Sequence, residues 1–180
     1  MAVSAGYLPL FLSFFFLVCF SKNPIPALSD TTGLATKVCK STTIFDFCHA
    51  VIYSDPRAPT ADRVTLAFIA FELAYANTSK AAYQIASRDK DVGMQKCQRL
   101  YGWAAQSFSE AMGNMYSQVY GGLDRLAVKG EGYARDCESS FSDRPSPLSV
   151  MNQDLINFSN ICDAVSHLFP QDADGDSLIV

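Results

Sequence analysis

Cysteine and histidine are the residues of this chain that could do the most chemistry. The 180 residues include six cysteines and two histidines. No two cysteines have the Cys-x-x-Cys spacing of a zinc site, and only His49 and His167 could supply imidazole ligands. Neither histidine accompanies a serine or cysteine nucleophile in a recognisable catalytic motif. The sequence therefore predicts a protein that is not an enzyme and that holds no metal or other cofactor.

The apolar block at the N-terminus indicates the compartment in which the cysteines are located. Residues 7–20 read YLPLFLSFFFLVCF, which is short for a membrane span but suits the core of a signal peptide. Small residues follow, so we predict a signal peptide over residues 1–29, cleaved between about residues 21 and 29. No lysine or arginine precedes the block, so a membrane anchor is the alternative. Secretion is favoured because no second apolar block follows and the cysteines suit an oxidising space.

The cysteines that remain after cleavage predict two disulfides and one free thiol. Cys39 and Cys48 flank a short turn, so a bond between them would close a small hairpin. Cys97 and Cys137 lie on the apolar faces of two predicted helices, and a bond between them would tie these helices together. Cys162 is left over, and its place on another apolar face predicts a buried and inert thiol.

The elements that carry these cysteines are predicted to be helices. Apolar residues recur at steps of three and four over residues 64–85, 97–115, 119–141 and 148–169. This spacing places a single apolar stripe along one side of each helix. Short links between the four segments predict antiparallel neighbours. We therefore expect an all-α protein, an up-down-up-down four-helix bundle with an N-terminal helical hairpin over residues 32–53.

Local signals predict where the helices begin and where one of them is weak. Thr60 is placed to cap the first bundle helix, and Ser146 with Pro147 is typical of the start of the last one. Glycines at positions 121, 122, 130 and 132 each weaken the third helix by about 1 kcal/mol relative to alanine. Gly130 is therefore the candidate position for a break in that helix.

The remaining features concern domain limits, modification and charge. We predict one domain over residues 32–169 and a flexible acidic tail over residues 170–180, whose aspartates lack the later glutamate of a calcium loop. Two Asn-x-Ser/Thr sequons, at Asn77 and Asn157, lie off the apolar stripes and predict N-glycosylation. The formal net charge of −4 and the lack of a basic stripe argue against a nucleic-acid partner.

Two segments and the spacing of the cysteines carry a resemblance to a known family. FDFCHAVIYSDPRAPTADRVTLAFIAFELAYAN begins at Phe45 and SPLSVMNQDLINFSNI begins at Ser146. The cysteines of the mature chain are predicted to form two pairs, with Cys162 left unpaired. Together with this cysteine pattern, the two segments resemble the plant invertase and pectin methylesterase inhibitor family. The first is similar to the family's second cysteine, Asp-Pro loop and first bundle helix, and points to a pollen-protein branch. The second is similar to its final loop and helix.

The resemblance implies a function as well as a fold. Members of the family inhibit an extracellular or vacuolar carbohydrate-active enzyme through a reversible one-to-one complex. This implies a secreted monomer whose partner is an invertase or a pectin methylesterase. In invertase inhibitors, a Pro-Lys-Phe motif at the start of the third bundle helix enters the active-site cleft of the target. The matching positions here are Gln118, Val119 and Tyr120, so only the aromatic residue is retained.

The sequence analysis therefore leads to one expectation and two alternatives. We expect a secreted inhibitor of a plant invertase (β-fructofuranosidase) in the apoplast, cell wall or vacuole, with Tyr120 as an anchor in the interface. Inhibition of a pectin methylesterase is the first alternative. A non-inhibitory secreted bundle of a pollen or storage type is the second.

Overall fold

The structure, a computed structural model, describes residues 33–88, 91–141 and 144–170. The predicted signal peptide over residues 1–29 lies outside these ranges, as does all of the predicted tail except Pro170.

Every regular element in the described residues is helical, which confirms the predicted fold class. Two short helices come first, α1 (Leu34–Lys40) and α2 (Phe45–Ile52). Four longer ones form the bundle: α3 (Arg63–Ala86), α4 (Val92–Tyr116), α5 (Leu123–Glu138) and α6 (Ser149–Ser166). Single 3-10 turns occur at Ala58–Thr60 and Ser139–Phe141.

The bundle closes because each long helix packs against two others. Helix α3 contacts α4 and α6, and α5 likewise lies between α4 and α6. The α1–α2 hairpin packs mainly against α6, α3 and the 3-10 turn that leads into α3. This arrangement is the predicted four-helix bundle with an N-terminal hairpin.

Two disulfides fix the hairpin and the bundle. Cys39 is joined to Cys48 with a Cα–Cα distance of 5.4 Å, and Cys97 is joined to Cys137 at 4.8 Å. The first bond closes the hairpin and the second ties α4 to α5, as the sequence predicts. Cys162 is a free thiol that is fully buried in α6, and burial raises its pKa well above the ordinary value. A thiol of this kind stays protonated and packs as a small apolar side chain.

The predicted core stripes match α4 and α6 better than α3. The α4 stripe is buried throughout, and in α6 only Met151 is half-buried. In α3, however, Tyr75 is 40% exposed although the spacing of three and four over residues 64–85 predicts that it faces the core, whereas Leu66, Ile69 and Ala74 are buried. This prediction was wrong because α3 is packed by the hairpin, α4 and α6 together. A helix with neighbours on several sides buries a face wider than a single stripe.

Three local expectations about the helices need correction. Asp62 rather than Thr60 caps α3, and its carboxylate accepts a hydrogen bond of 2.8 Å from the Thr65 N–H. Helix α6 begins at Ser149, and the Ser146 hydroxyl instead accepts a bond of 3.1 Å from the Leu148 N–H in the turn before it. No break occurs at Gly130, where α5 is continuous.

Candidate functional site

The three positions singled out by the sequence lie in the turn between α4 and α5. This turn sits at the end of the bundle where α3 and α5 begin and where α4 and α6 finish. We call this end the bundle tip. It is defined by six residues that make ring contacts there, are exposed there or lie in the adjoining turn: Arg63, Phe68, Tyr116, Val119, Tyr120 and Phe169.

Backbone hydrogen bonds give the turn a defined shape. The Gln118 N–H donates to the Met115 carbonyl at 3.0 Å, and the Val119 N–H donates to the Asn114 carbonyl at 2.8 Å. These two bonds form a Schellman motif, in which the residue just past the helix adopts a left-handed conformation. Gln118 is that residue, with a φ of 59°. The motif holds Val119 with about half of its surface (51%) exposed to solvent.

Tyr120 does not project freely, although the sequence predicts it to be an anchor in the interface. Its ring is half-buried and stacks in parallel on the buried ring of Phe169, with centroids 4.5 Å apart. The Arg63 guanidinium lies 5.5 Å from the Phe169 centroid, so a cation–π contact joins the start of α3 to the same cluster. The stack fixes the orientation of Tyr120 and leaves part of the side chain at the surface.

The most exposed aromatic residue of the tip is one that the sequence analysis missed. Tyr116, the last residue of α4, is 75% exposed, and its ring contacts Phe68 of α3 at 4.8 Å. Tyr116 is adjacent to the buried Met115 but lies off the apolar stripe, so a pattern of core residues does not include it. The signal that could have revealed it is a large aromatic residue off the stripe and two positions before Gln118.

The charge near the tip comes from the start of α3 and α5. Arg63 and Arg125 are both exposed. Beside Arg63, the Asp62 carboxylate accepts backbone hydrogen bonds from the first turn of α3, chiefly from Thr65, and these lower its pKa. The tip residue Arg63 and the nearby Arg125 therefore place two guanidinium groups at this end of the bundle, next to apolar and aromatic surface. Asp62 and Asp124 add carboxylates beside them. Arginine and aromatic side chains are typical of the residues that dominate binding interfaces.

The two histidines are not among the six residues that define the tip, although His167 follows α6 two residues before Phe169. His49 is exposed on α2, where its ring stacks on Tyr53 at 4.3 Å. His167 is exposed at the end of α6, with Nε2 3.4 Å from a carboxylate oxygen of Asp163. In the part of the chain that the structure describes, no three His, Cys, Asp or Glu side chains are grouped so as to hold a metal ion. Nor does any helix there have both the length and the apolar character needed to cross a bilayer.

Both sequons lie inside long helices, and neither asparagine is fully exposed. Asn77 and Asn157 are half-buried, and Asn157 accepts a hydrogen bond of 3.0 Å from Gln153. The hydroxyl residue of the Asn157 sequon, Ser159, is buried in the core, whereas that of the Asn77 sequon, Ser79, is half-buried. N-glycosylation at these positions stays a prediction, and at Asn157 it would have to precede the packing of α6.

Comparison with known proteins gives a family match along most of the chain. The model of the family described as plant invertase/pectin methylesterase inhibitor matches residues 33–165. A relative from Arabidopsis thaliana, named cell wall / vacuolar inhibitor of fructosidase 2, is 29% identical over 140 residues. That alignment covers 73% of this chain and 78% of the relative.

Solved structures share the fold at lower sequence identity. The crystal structure of a mutant form of a pectin methylesterase inhibitor from Arabidopsis superposes with a TM-score of 0.66 at 16% identity, covering 78% of this chain and 99% of that one. A second crystal structure, of a pectin methylesterase inhibitor from Arabidopsis thaliana, gives a TM-score of 0.56 at 18% identity, covering 77% of this chain and 97% of that one. At these identities the likeness establishes the helical architecture.

Proposed function

The chain belongs to the plant invertase/pectin methylesterase inhibitor family, whose members are enzyme inhibitors rather than enzymes, and from this premise we propose that it inhibits a plant invertase. The observation that carries the choice of target is the name of the Arabidopsis relative, an inhibitor of fructosidase that aligns over 140 residues. Invertase is a β-fructofuranosidase, so the relative's target belongs to the class we propose.

We infer that the bundle tip is the surface that meets the enzyme. Val119 and Tyr116 offer exposed apolar and aromatic area, and Tyr120 is held in place by Phe169. An aromatic side chain that is already fixed loses little conformational freedom on binding, so less of the interaction energy is spent on ordering. Gln118, Val119 and Tyr120 would enter the substrate cleft as one rigid turn, because the Schellman motif fixes their backbone.

The disulfides support the same mechanism by keeping the inhibitor rigid. Cys97–Cys137 joins α4 to α5, and these two helices flank the turn that carries Gln118, Val119 and Tyr120. A one-to-one complex of this kind blocks access of the substrate without any covalent step. We place the protein in the apoplast, cell wall or vacuole, on the basis of the predicted signal peptide over residues 1–29 and the name of the relative.

The test is an inhibition assay of the mature chain against two purified enzymes, a plant invertase and a plant pectin methylesterase. We expect the wild type to inhibit invertase. Val119→Asp and Tyr120→Ala should each weaken this inhibition by at least about tenfold, because they alter the centre of the proposed interface. Tyr83→Ala is the matched control, since Tyr83 is 78% exposed on α3 and lies outside the tip. It should leave inhibition unchanged.

The alternatives give different results in the same assay. Inhibition of pectin methylesterase alone would establish the other target of the family. Failure to inhibit either enzyme at micromolar concentration, with the fold intact by circular dichroism, would favour a non-inhibitory secreted bundle. Inhibition of invertase that Tyr83→Ala weakens as much as Tyr120→Ala would place the interface on another face.

A further inference from the structure

A shallow groove between α4 and α5 contains an aromatic surface that the tip does not use. Trp103 is half-exposed (50%), and its ring lies 5.9 Å from that of Tyr133, with an angle of 52° between the two planes. The tilted rings form two walls of a concave corner. Trp103 lies about 20 Å along α4 from Tyr116, since a helix rises 1.5 Å per residue. The groove is therefore separate from the surface proposed to meet the enzyme.

Three polar side chains that line the groove are free to bind a ligand, whereas the hydroxyl of a fourth, Ser107, donates a hydrogen bond of 3.1 Å to the Trp103 carbonyl. Gln106 and Glu110 follow Trp103 on the same face of α4, and Lys129 precedes Tyr133 by one turn of α5. All three polar side chains are exposed. None of them forms a hydrogen bond or an ion pair with the described part of the chain. The groove thus offers a carboxylate that accepts, an ammonium group that donates and an amide that does both.

This combination fits one class of ligand better than others. We propose that the groove binds a neutral oligosaccharide built from hexose units. The C–H face of a hexose ring is apolar and packs on an aromatic ring, whereas its hydroxyls both donate and accept hydrogen bonds. A site with an aromatic platform and a few convergent polar groups has the composition expected for such a ligand.

Charge argues for a neutral sugar over an acidic one. Lys129 and Glu110 give the groove no net charge of its own, and the whole chain has a formal net charge of −4. A polyuronate would therefore meet a carboxylate in the site and a repulsive field around the protein. The groove would let the inhibitor associate with neutral wall polysaccharide or with a protein-linked glycan while the tip stays accessible.

The composition of the chain makes the binding test direct. Trp103 is the only tryptophan in the sequence, so tryptophan fluorescence of the mature protein reports on this groove alone. We expect the emission to change and saturate as cellohexaose is added up to millimolar concentration. The same titration with an oligomannose N-glycan distinguishes the two sources of neutral hexose, and saturation by either one supports the proposal.

Variants locate the site by calorimetry. Trp103→Ala and Tyr133→Ala should each weaken binding by about tenfold, while Trp103→Phe retains most of it. Tyr83→Ala removes an equally exposed aromatic ring from α3 and should leave affinity unchanged. Because Tyr133→Ala retains Trp103, its fluorescence titration provides a second reading even if Trp103→Ala folds poorly.

Three results would overturn the proposal. The first is the absence of binding to both neutral sugars at millimolar concentration. The second is binding of polygalacturonate alone, which would make the ligand acidic. The third is loss of enzyme inhibition in Trp103→Ala when the wild type binds no sugar, because the groove would then be a docking surface for the target enzyme. Inhibition of invertase by the wild type is measured separately from sugar binding, so failure here leaves the proposed inhibitory function standing. Only the third result would also move the proposed interface from the tip to the groove.

Discussion

The hydroxyl of Tyr101 on α4 donates a hydrogen bond of 2.9 Å to Oδ1 of Asn152 on α6, and both side chains are buried. Asn152 in turn donates from Nδ2 to Oε2 of Glu138 at 2.5 Å, at the end of α5. The Ser149 hydroxyl donates to the other oxygen of Glu138 at 2.6 Å. This chain of bonds links three helices of the bundle on the side of the core nearest the Cys97–Cys137 disulfide.

Removing the Tyr101 hydroxyl should destabilise the bundle. In Tyr101→Phe the ring still fills its place, but Oδ1 of Asn152 is left buried without that partner, which costs about 1–3 kcal/mol. Urea unfolding followed by circular dichroism measures the change. Tyr83→Phe is the control, because the Tyr83 ring is largely exposed. Equal stabilities for the two variants would show that the bond contributes nothing.

Glu138 should make the stability of the protein depend on acid pH. Hydrogen bonds from Ser149, and then from Asn152, lower its pKa from the ordinary value of 4.5. The ionised carboxylate is therefore favoured in the folded chain, and its contribution is fully present above pH 4.5. That contribution is lost as the pH falls through the lowered pKa of the folded state.

Urea unfolding at neutral pH and at a pH well below 4.5 tests this contribution. We expect Glu138→Gln to lower stability at neutral pH and to reduce the loss of stability on acidification. Glu110→Gln serves as the control, since that carboxylate forms no hydrogen bond within the described residues. An unchanged dependence on pH in Glu138→Gln would remove Glu138 from the acid response.

The sequence predicted the α4 and α6 core because their apolar residues are separated by polar ones. The stripe from Cys97 to Met115 is buried throughout, and so is most of that from Leu148 to Phe169. Helix α3 is apolar over several consecutive turns, so its pattern fits more than one orientation. Which orientation it adopts depends on the neighbours that surround it, and the prediction for Tyr75 was therefore wrong.

The candidate site was predictable in position but not in geometry. A resemblance in the sequence placed Gln118, Val119 and Tyr120 at the start of a helix, and the structure puts them in the turn just before α5. The stacking of Tyr120 on Phe169 and the approach of Trp103 to Tyr133 are contacts between residues that are far apart in the sequence. Helical periodicity describes each helix alone and carries no information on such contacts.

Gly130 should prove to be required for packing rather than a weak point of α5. A Cβ atom at this position would lie 2.8 Å from Cζ of Phe108 and closer still to the Ser159 hydroxyl. Gly130→Ala should therefore destabilise the protein by about 1–3 kcal/mol, because it overpacks the contact of α5 with α4 and α6. Thermal and urea unfolding measure the loss.

Gly132 provides a control within the same helix. It is exposed, and a Cβ atom there would meet nothing within 4 Å. Gly132→Ala should stabilise the protein by about 1 kcal/mol, which is the difference in helix propensity. If both substitutions stabilised the protein, helix propensity alone would explain the effect of Gly130.

The left-handed backbone of Gln118 should cost stability that glycine would recover. With a φ of 59°, Gln118 occupies the position of the Schellman motif where glycine is preferred. Gln118→Gly should raise the free energy of unfolding by up to about 1 kcal/mol. Ser117→Gly is the matched control, because Ser117 has a φ of −85° and gains nothing from glycine. A loss of stability in Gln118→Gly equal to that in Ser117→Gly would contradict this account.

Thr78 is buried in α3 and is the middle residue of the Asn77 sequon, so stability and glycosylation can be tested side by side. Its hydroxyl is fully buried in α3 and has no hydrogen-bond partner among the described residues, so the fold bears an unsatisfied polar group. Thr78→Val keeps the shape of the side chain, removes that group and retains the sequon, because Ser79 supplies the sequon's hydroxyl. We expect Thr78→Val to stabilise the unglycosylated chain by about 1 kcal/mol. In secreted material, we expect Ser79→Ala to abolish a glycan that Asn77→Gln also abolishes and that Thr78→Val retains. Mass spectrometry before and after enzymatic deglycosylation measures the glycan. A fully unmodified Asn77 in secreted wild type would mean that α3 packs before the transferase can act on the sequon.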